Sequence, residues 1–91
     1  MTLTFAGVEF DNNFYDADAD VLYLHVGDPA SAVDWADTEE GDSLRYGAAG
    51  NLVGVTIVSP RWRLKHEGKI VLTLPSRRIE TTDLGELLAP A

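Results

Sequence analysis

Asp16, Asp18 and Asp20 place three carboxylates at alternate positions of a 91-residue chain. Clustered acids of this kind are what a hard cation such as calcium selects. A calcium loop of the EF-hand type starting at Asp16 needs Gly at its sixth position and Glu at its twelfth. The chain offers Val21 and Gly27 there. Both tests fail, so the stretch reads as a structural turn whose short acidic side chains hydrogen-bond their own backbone. At most it attracts divalent cations weakly and without specificity.

The remaining chemistry-bearing residues are sparse. His25 and His66 are too few for a three-histidine zinc site and lack a recognisable partner spacing; His25 is expected on a sheet face beside Tyr23. Ser31, Ser43, Ser59 and Ser76 sit in no nucleophile-elbow context. Gly47 and Gly50 read as turn glycines, and no phosphate-cradling glycine pattern occurs. In Arg61-Trp62-Arg63-Leu64-Lys65 bases and an aromatic interleave, the mixture that single-stranded nucleic acid selects. Read as a strand, though, the segment points Trp62 and Leu64 inward and Arg61, Arg63 and Lys65 outward, and an acidic protein repels a polyanion. Those three bases are therefore expected to protect a strand edge or to form an interaction surface for an acidic protein partner. No nucleic acid is expected as partner, and no cofactor or metal.

The elements that would position these residues are strands. Residues 5–15 alternate as one strand, with Val8, Phe10 and Phe14 on the inner face. Asp16–Asp20 turn the chain, and Val21–Val26 return it with Leu22 and Leu24 in the core. Val33 and Trp35 are the apolar anchors of a weaker strand over 31–38. Residues 39–42 turn, 43–46 form a short strand, and 47–51 turn again. Leu52–Ser59 is apolar on both faces and predicts a central strand. Residues 61–65 and 70–74 read as a hairpin about a turn at 66–69. The tail changes period, with Leu84, Leu87 and Leu88 at helical spacing after a possible cap at Thr82. The expected fold is mainly β: one small antiparallel meander of six or seven strands, with a short C-terminal helix as an addition.

Charge is unevenly placed along the sequence. The net charge is −8, with 45% hydrophobic and 24% charged residues, the composition of a folded globular domain. Residues 1–44 carry eleven acids and no Lys or Arg, whereas residues 45–78 carry all seven bases against Glu67 alone. Such halves can face one another, within a protomer or across a dimer. The chain has no cysteine, which removes disulfides, thiolate nucleophiles and Cys-ligated zinc. No signal peptide and no membrane span are legible, so the expected location is the cytoplasm.

Tyr15-Asp16-x-x-x-Asp20-Val21-Leu22-Tyr23-Leu24, followed by Gly50-Asn51-Leu52-Val53-Gly54-Val55-Thr56-Ile57, resembles the family of unknown function DUF2283. Its members show Tyr-Asp-x-x-x-Asp-x-Leu-Tyr-Ile and Gly-x-Val-Val-Gly-Ile-Glu-Ile. The resemblance covers about residues 10–75 of a single domain, leaving 76–91 as a tail. Thr56 stands where many members carry Glu, so no role of that carboxylate transfers. The resemblance implies a small prokaryotic β-rich protein without an established activity. Because some members neighbour toxin-like genes, it also implies an antitoxin-like partner role as an alternative. With no catalytic constellation surviving these tests, the expectation is a non-catalytic protein that forms a homodimer or binds another protein. An enzyme is the remote alternative; it would need a pocket gathering His25 or His66 with two carboxylates.

Overall fold

The computed structural model describes residues 3–5, 7–28, 31–75 and 78–82. Nine strands and one helix occur among them. In chain order they are β1 (Leu3–Phe5), β2 (Val8–Phe10), β3 (Asn12–Asp16), β4 (Val21–His25), β5 (Asp34–Asp37), β6 (Ser43–Tyr46), β7 (Leu52–Val58), α1 (Pro60–Glu67), β8 (Ile70–Thr73) and β9 (Arg78–Thr81). The strands pair antiparallel in three sheets: β1–β2, β8–β9, and a five-stranded sheet of order β3-β4-β7-β6-β5. The fold is mainly β, as the alternation implies. Its central sheet departs from a simple meander, because β7 returns beside β4 in Greek-key fashion. β7 is the middle strand, which its apolar residues on both faces predicted.

Alternate residues of the central sheet form one side of the core. Leu22 and Leu24 of β4, Leu44 of β6, and Val55 and Ile57 of β7 are buried. They cluster with Phe5 and Phe10 of the β1–β2 hairpin and Ile70 and Leu72 of β8. One face of the sheet is thus covered by the two hairpins.

Three expectations are corrected. The single strand over 5–15 is broken twice: Phe5 ends β1, the chain turns at Gly7 into β2, and it bends at Asp11 into β3. The Asp11 carboxylate accepts from the Gly27 amide at 2.9 Å, and the Asn12 carboxamide donates to the Gly27 carbonyl at 2.8 Å. The bend splits the alternation: Phe10 is fully buried while Phe14 is exposed, and Tyr15 takes the inward position instead. Val33 and Trp35 are also exposed rather than anchoring; Ala36, opposite Leu44, turns to the core.

The third correction concerns 61–65, which is helix, not strand. Pro60 at the first turn, Gly68 at φ 77° donating to the Leu64 carbonyl at 3.1 Å, and Lys65 and His66 in the last turn define α1. Proline at a helix start and glycine after its end are legible signals; the alternation of bases masked them. The partner of β8 is consequently β9, in register Ile70↔Thr81 to Thr73↔Arg78. The helix expected over 82–88 lies outside the described residues, apart from Thr82.

Candidate interaction surface

The acidic turn is built as a latch between two elements. The Asp16 carboxylate accepts from the Asp18 and Ala19 amides at 3.1 and 3.2 Å, holding the β3–β4 turn. Asp18 is exposed. Asp20 adopts φ 55°, a left-handed conformation that Asp tolerates better than most side chains. From there its carboxylate accepts from the Tyr15 hydroxyl at 2.7 Å and from the Arg61 and Trp62 amides at 3.1 Å each. Ser59, the residue before the helix, makes no side-chain cap; Asp20 caps α1 across some forty residues of sequence. The Arg61 guanidinium lies over the Tyr15 ring, 5.2 Å from its centroid.

Burial alone would raise the Asp20 carboxyl, but the Tyr15 hydroxyl, the Trp62 and Arg61 amides and the Arg61 charge outweigh it and hold it below the ordinary Asp value. Burial, followed by the bond to Asp20, raises the Tyr15 hydroxyl. A carboxyl depressed in the fold contributes stability above its unfolded pKa and loses it as pH falls through the folded value. Stability should therefore drop below about pH 4. Asp20→Asn, which keeps a carbonyl acceptor and tolerates positive φ, should flatten that acid limb. Asp20→Ala should cost about 1–2 kcal/mol at neutral pH through the lost cap. Urea titrations at neutral and acid pH read both, and an unchanged acid limb in Asp20→Asn would sink the assignment.

Arg61, Arg63 and Lys65 do not share a surface. Arg61 and Lys65 are exposed, whereas Arg63 is buried, as helical spacing dictates. Arg63 Nη1 contacts both Asp42 oxygens at 2.9 and 3.0 Å and donates to the Val58 carbonyl at 3.1 Å. Its Nη2 donates to the Val71 carbonyl at 2.8 Å. Asp42, fully buried, also accepts from the Val58 amide at 2.9 Å. No spacing in the sequence points to this pair, since Asp42 reads as a turn acid. It joins the β5–β6 turn, the end of β7, α1 and β8.

His66 stacks on Trp62 with centroids 4.5 Å apart, beside an open cleft of about 640 Å³ between α1 and the β5–β6 turn. Three polar side chains lining that cleft, Glu40, Arg63 and Lys69, are engaged. Glu40 accepts from the Thr73 amide and hydroxyl at 2.8 and 2.7 Å, Arg63 holds Asp42, and Lys69 meets Glu80 at 3.2 Å. The Thr73 hydroxyl, against burial and with help from the Thr73 amide, lowers the Glu40 carboxyl. Among the described residues no group of three or more His, Asp or Glu side chains could hold a metal ion. No helix among them is long and apolar enough to cross a membrane.

What stands out is the second face of the central sheet. Strand pairing sets Phe14, Tyr23, Thr56, Ser43 and Asp37 in one row across it. A second row runs Asn12, His25, Gly54, Arg45 and Trp35. Phe14 is 64% exposed, Trp35 65%, Val58 44% and Tyr23 40%. Phe14 and Tyr23 stack with centroids 6.2 Å apart. Val33, also exposed, continues the alternation of Trp35 at the strand's start. Between the aromatic side chains of β3 and β4 and Trp35 of β5 lie Thr56, Ser43 and Gly54. At Gly54 a Cβ would collide with the Arg45 guanidinium and stand 2.9 Å from His25 Nδ1; the two side chains lie over the glycine from either side. His25 is buried there rather than on an open surface, and neither its Nε2 nor Arg45 Nε has a hydrogen-bond partner among the described residues.

The match of a family model, protein of unknown function (DUF2283), covers residues 14–59, half of the chain. The chain belongs to the DUF2283 family. The matched segment runs from Phe14 to Ser59 and so contains the whole five-stranded sheet except the first two residues of β3. It includes the Tyr15–Asp20 latch but stops before α1, whose amides the latch caps. The DUF2283 region is therefore the open-faced sheet, and both covering hairpins lie outside it. No curated protein and no solved structure matches the chain.

Proposed function

We propose that this DUF2283 protein is a small non-catalytic association module that binds a second copy of itself through the uncovered face of its sheet. The observation that carries the reading is the segregation of exposed apolar residues. Of the six large exposed hydrophobic side chains among the described residues, Phe14, Tyr23, Trp35 and Val58 lie on that one face and Val33 adjoins it. Exposed apolar side chains gathered on one face mark contact sites. Single exposed residues need no explanation, but four on one face do.

Salt separates this reading from association through the oppositely charged halves of the sequence. Each copy carries −8, so an apolar contact works against net repulsion, and screening removes that repulsion. Sedimentation equilibrium from low to high micromolar protein should show a dimer that tightens as salt is raised. Phe14→Asp and Trp35→Asp should each weaken it at least about tenfold while leaving the circular dichroism native. A dimer that loosens in salt would shift the contact to the charged halves. A monomer at every concentration and salt would end the self-association reading.

A further inference from the structure

The five-stranded sheet ends on one side at β5, and no strand among the described residues pairs with its outer edge. The pairing with β6 sets the backbone phase of that edge. The Thr38 amide donates to the Asp42 carbonyl at 2.8 Å. Ala36, two residues earlier, turns its backbone the same way, and Trp35 and Asp37 turn theirs outward. Each outward residue offers one amide and one carbonyl. The Trp35 amide is held by the neighbouring Asp34 carboxylate at 3.0 Å, a bond open to water. Asp34, Trp35 and Asp37 are all exposed. An open edge of this kind is a template for an extended segment of another chain.

The charges along the edge decide which chain. Asp34 and Asp37 lie on it and Glu39 just beyond it, and residues 1–44 contain no Lys or Arg to offset them. A second copy paired edge to edge sets these acids against one another, which destabilises a strand pair, whereas opposite charges stabilise one. Beside the edge, on the covered side of the sheet, lies an open pocket of about 350 Å³. Ala36, Leu44, Leu74 and Pro75 give it apolar walls, and the acids Asp37 and Glu39 complete its lining. Apolar walls with acids beside them suit a long cationic side chain, whose stem is apolar and whose head is charged.

We propose that the β5 edge takes a basic, extended segment of another protein as a sixth strand of the sheet. The segment's backbone bonds Trp35 and Asp37, displacing the Asp34 carboxylate from the Trp35 amide and freeing it to pair with a base. A Lys or Arg on the covered side lays its stem across Ala36 and Leu74, and its charge meets Glu39. The next residue falls beside the exposed Trp35 ring on the open face, where a β-branched side chain packs. The backbone edge and its pocket are distinct from the sheet face invoked for self-association, so either reading can fail alone.

Blocked eight-residue peptides test this by NMR titration of the backbone amides. One alternates Lys and Thr, one Glu and Thr, and one Lys and Pro, which keeps the charge but cannot complete a strand ladder. The Lys-Thr peptide should bind with its largest shifts at the Trp35 and Asp37 amides, and should weaken as salt is raised. The Lys-Pro peptide should bind at least about tenfold more weakly, and the Glu-Thr peptide should not bind. Asp37→Asn combined with Glu39→Gln, both at exposed positions, should weaken the Lys-Thr peptide about tenfold while the circular dichroism stays native. Equal binding of the Lys-Thr and Lys-Pro peptides reduces the contact to charge and overturns strand addition. Largest shifts elsewhere in the chain, or no binding of the Lys-Thr peptide at millimolar concentration, overturn it as well.

Discussion

Val55→Asp leaves the chain unfolded, whereas Phe14→Asp leaves it folded. Val55 is fully buried on the middle strand, with Leu24 and Leu44 directly opposite it on either side. A carboxylate there loses its water and gains no donor, a cost of several kcal/mol whether it stays charged or takes up a proton. It also forfeits the apolar contacts of a site that cannot open without moving β4 and β6. A chain of this size has only about 5–14 kcal/mol of stability in total. Leu24→Asp should behave in the same way, being equally buried one strand over. Phe14 sits on the same sheet but on its open face, so the same change of charge meets water. Far-ultraviolet circular dichroism and amide dispersion in NMR read the contrast, and a native spectrum for Val55→Asp would refute the strand phases.

Asp42→Ala is expected to lower stability by about 3–5 kcal/mol, because it strands the buried Arg63 guanidinium. For a domain of this length that is a fall in melting temperature of at least about 12 °C. The loss has two parts. Arg63 loses both of its carboxylate contacts, and the Val58 amide loses its bond to the Asp42 carboxylate at a point where β7 passes into α1. Replacing both partners by apolar residues of similar volume, Asp42→Leu with Arg63→Met, should restore much of the loss, since the stranded charge is gone. Calorimetry on the two single variants and the pair tests this. A shift below about 4 °C for Asp42→Ala would mean that water, not the pair, satisfies Arg63.

Residues 21–26 and 52–58 were legible from the sequence because strand period and burial agree there: Leu22, Leu24, Val55 and Ile57 alternate with less buried neighbours and do face the core. The tight connections at Asp16–Asp20, 39–42 and 47–51 were legible for a local reason, since Asp, Asn and Gly hold turns through their own backbone bonds. The alternation failed where two faces had similar composition. Val33 and Trp35 are more apolar than Ala36, yet the sheet turns Ala36 inward, because register with Leu44 on β6 decides the face and no local preference opposes it. Residues 61–65 failed for another reason. Arg-Trp-Arg-Leu-Lys alternates as well as any strand, while the Pro60 and Gly68 that mark a helix lie outside the window.

What the sequence by itself determined is the mainly β character, the family, the central place of β7 and the turn at Asp16–Asp20. Only the tertiary structure decided what Asp20 and Asp42 do, because their partners lie about forty and about twenty residues away and no spacing encodes a contact made through folding. It also decided which side of the sheet stays uncovered. The sequence gives both sides of β3, β4 and β5 aromatic or apolar residues, and the two hairpins can cover one side only. The side left open carries Phe14, Tyr23 and Trp35, and it is there that the chain has a surface to offer.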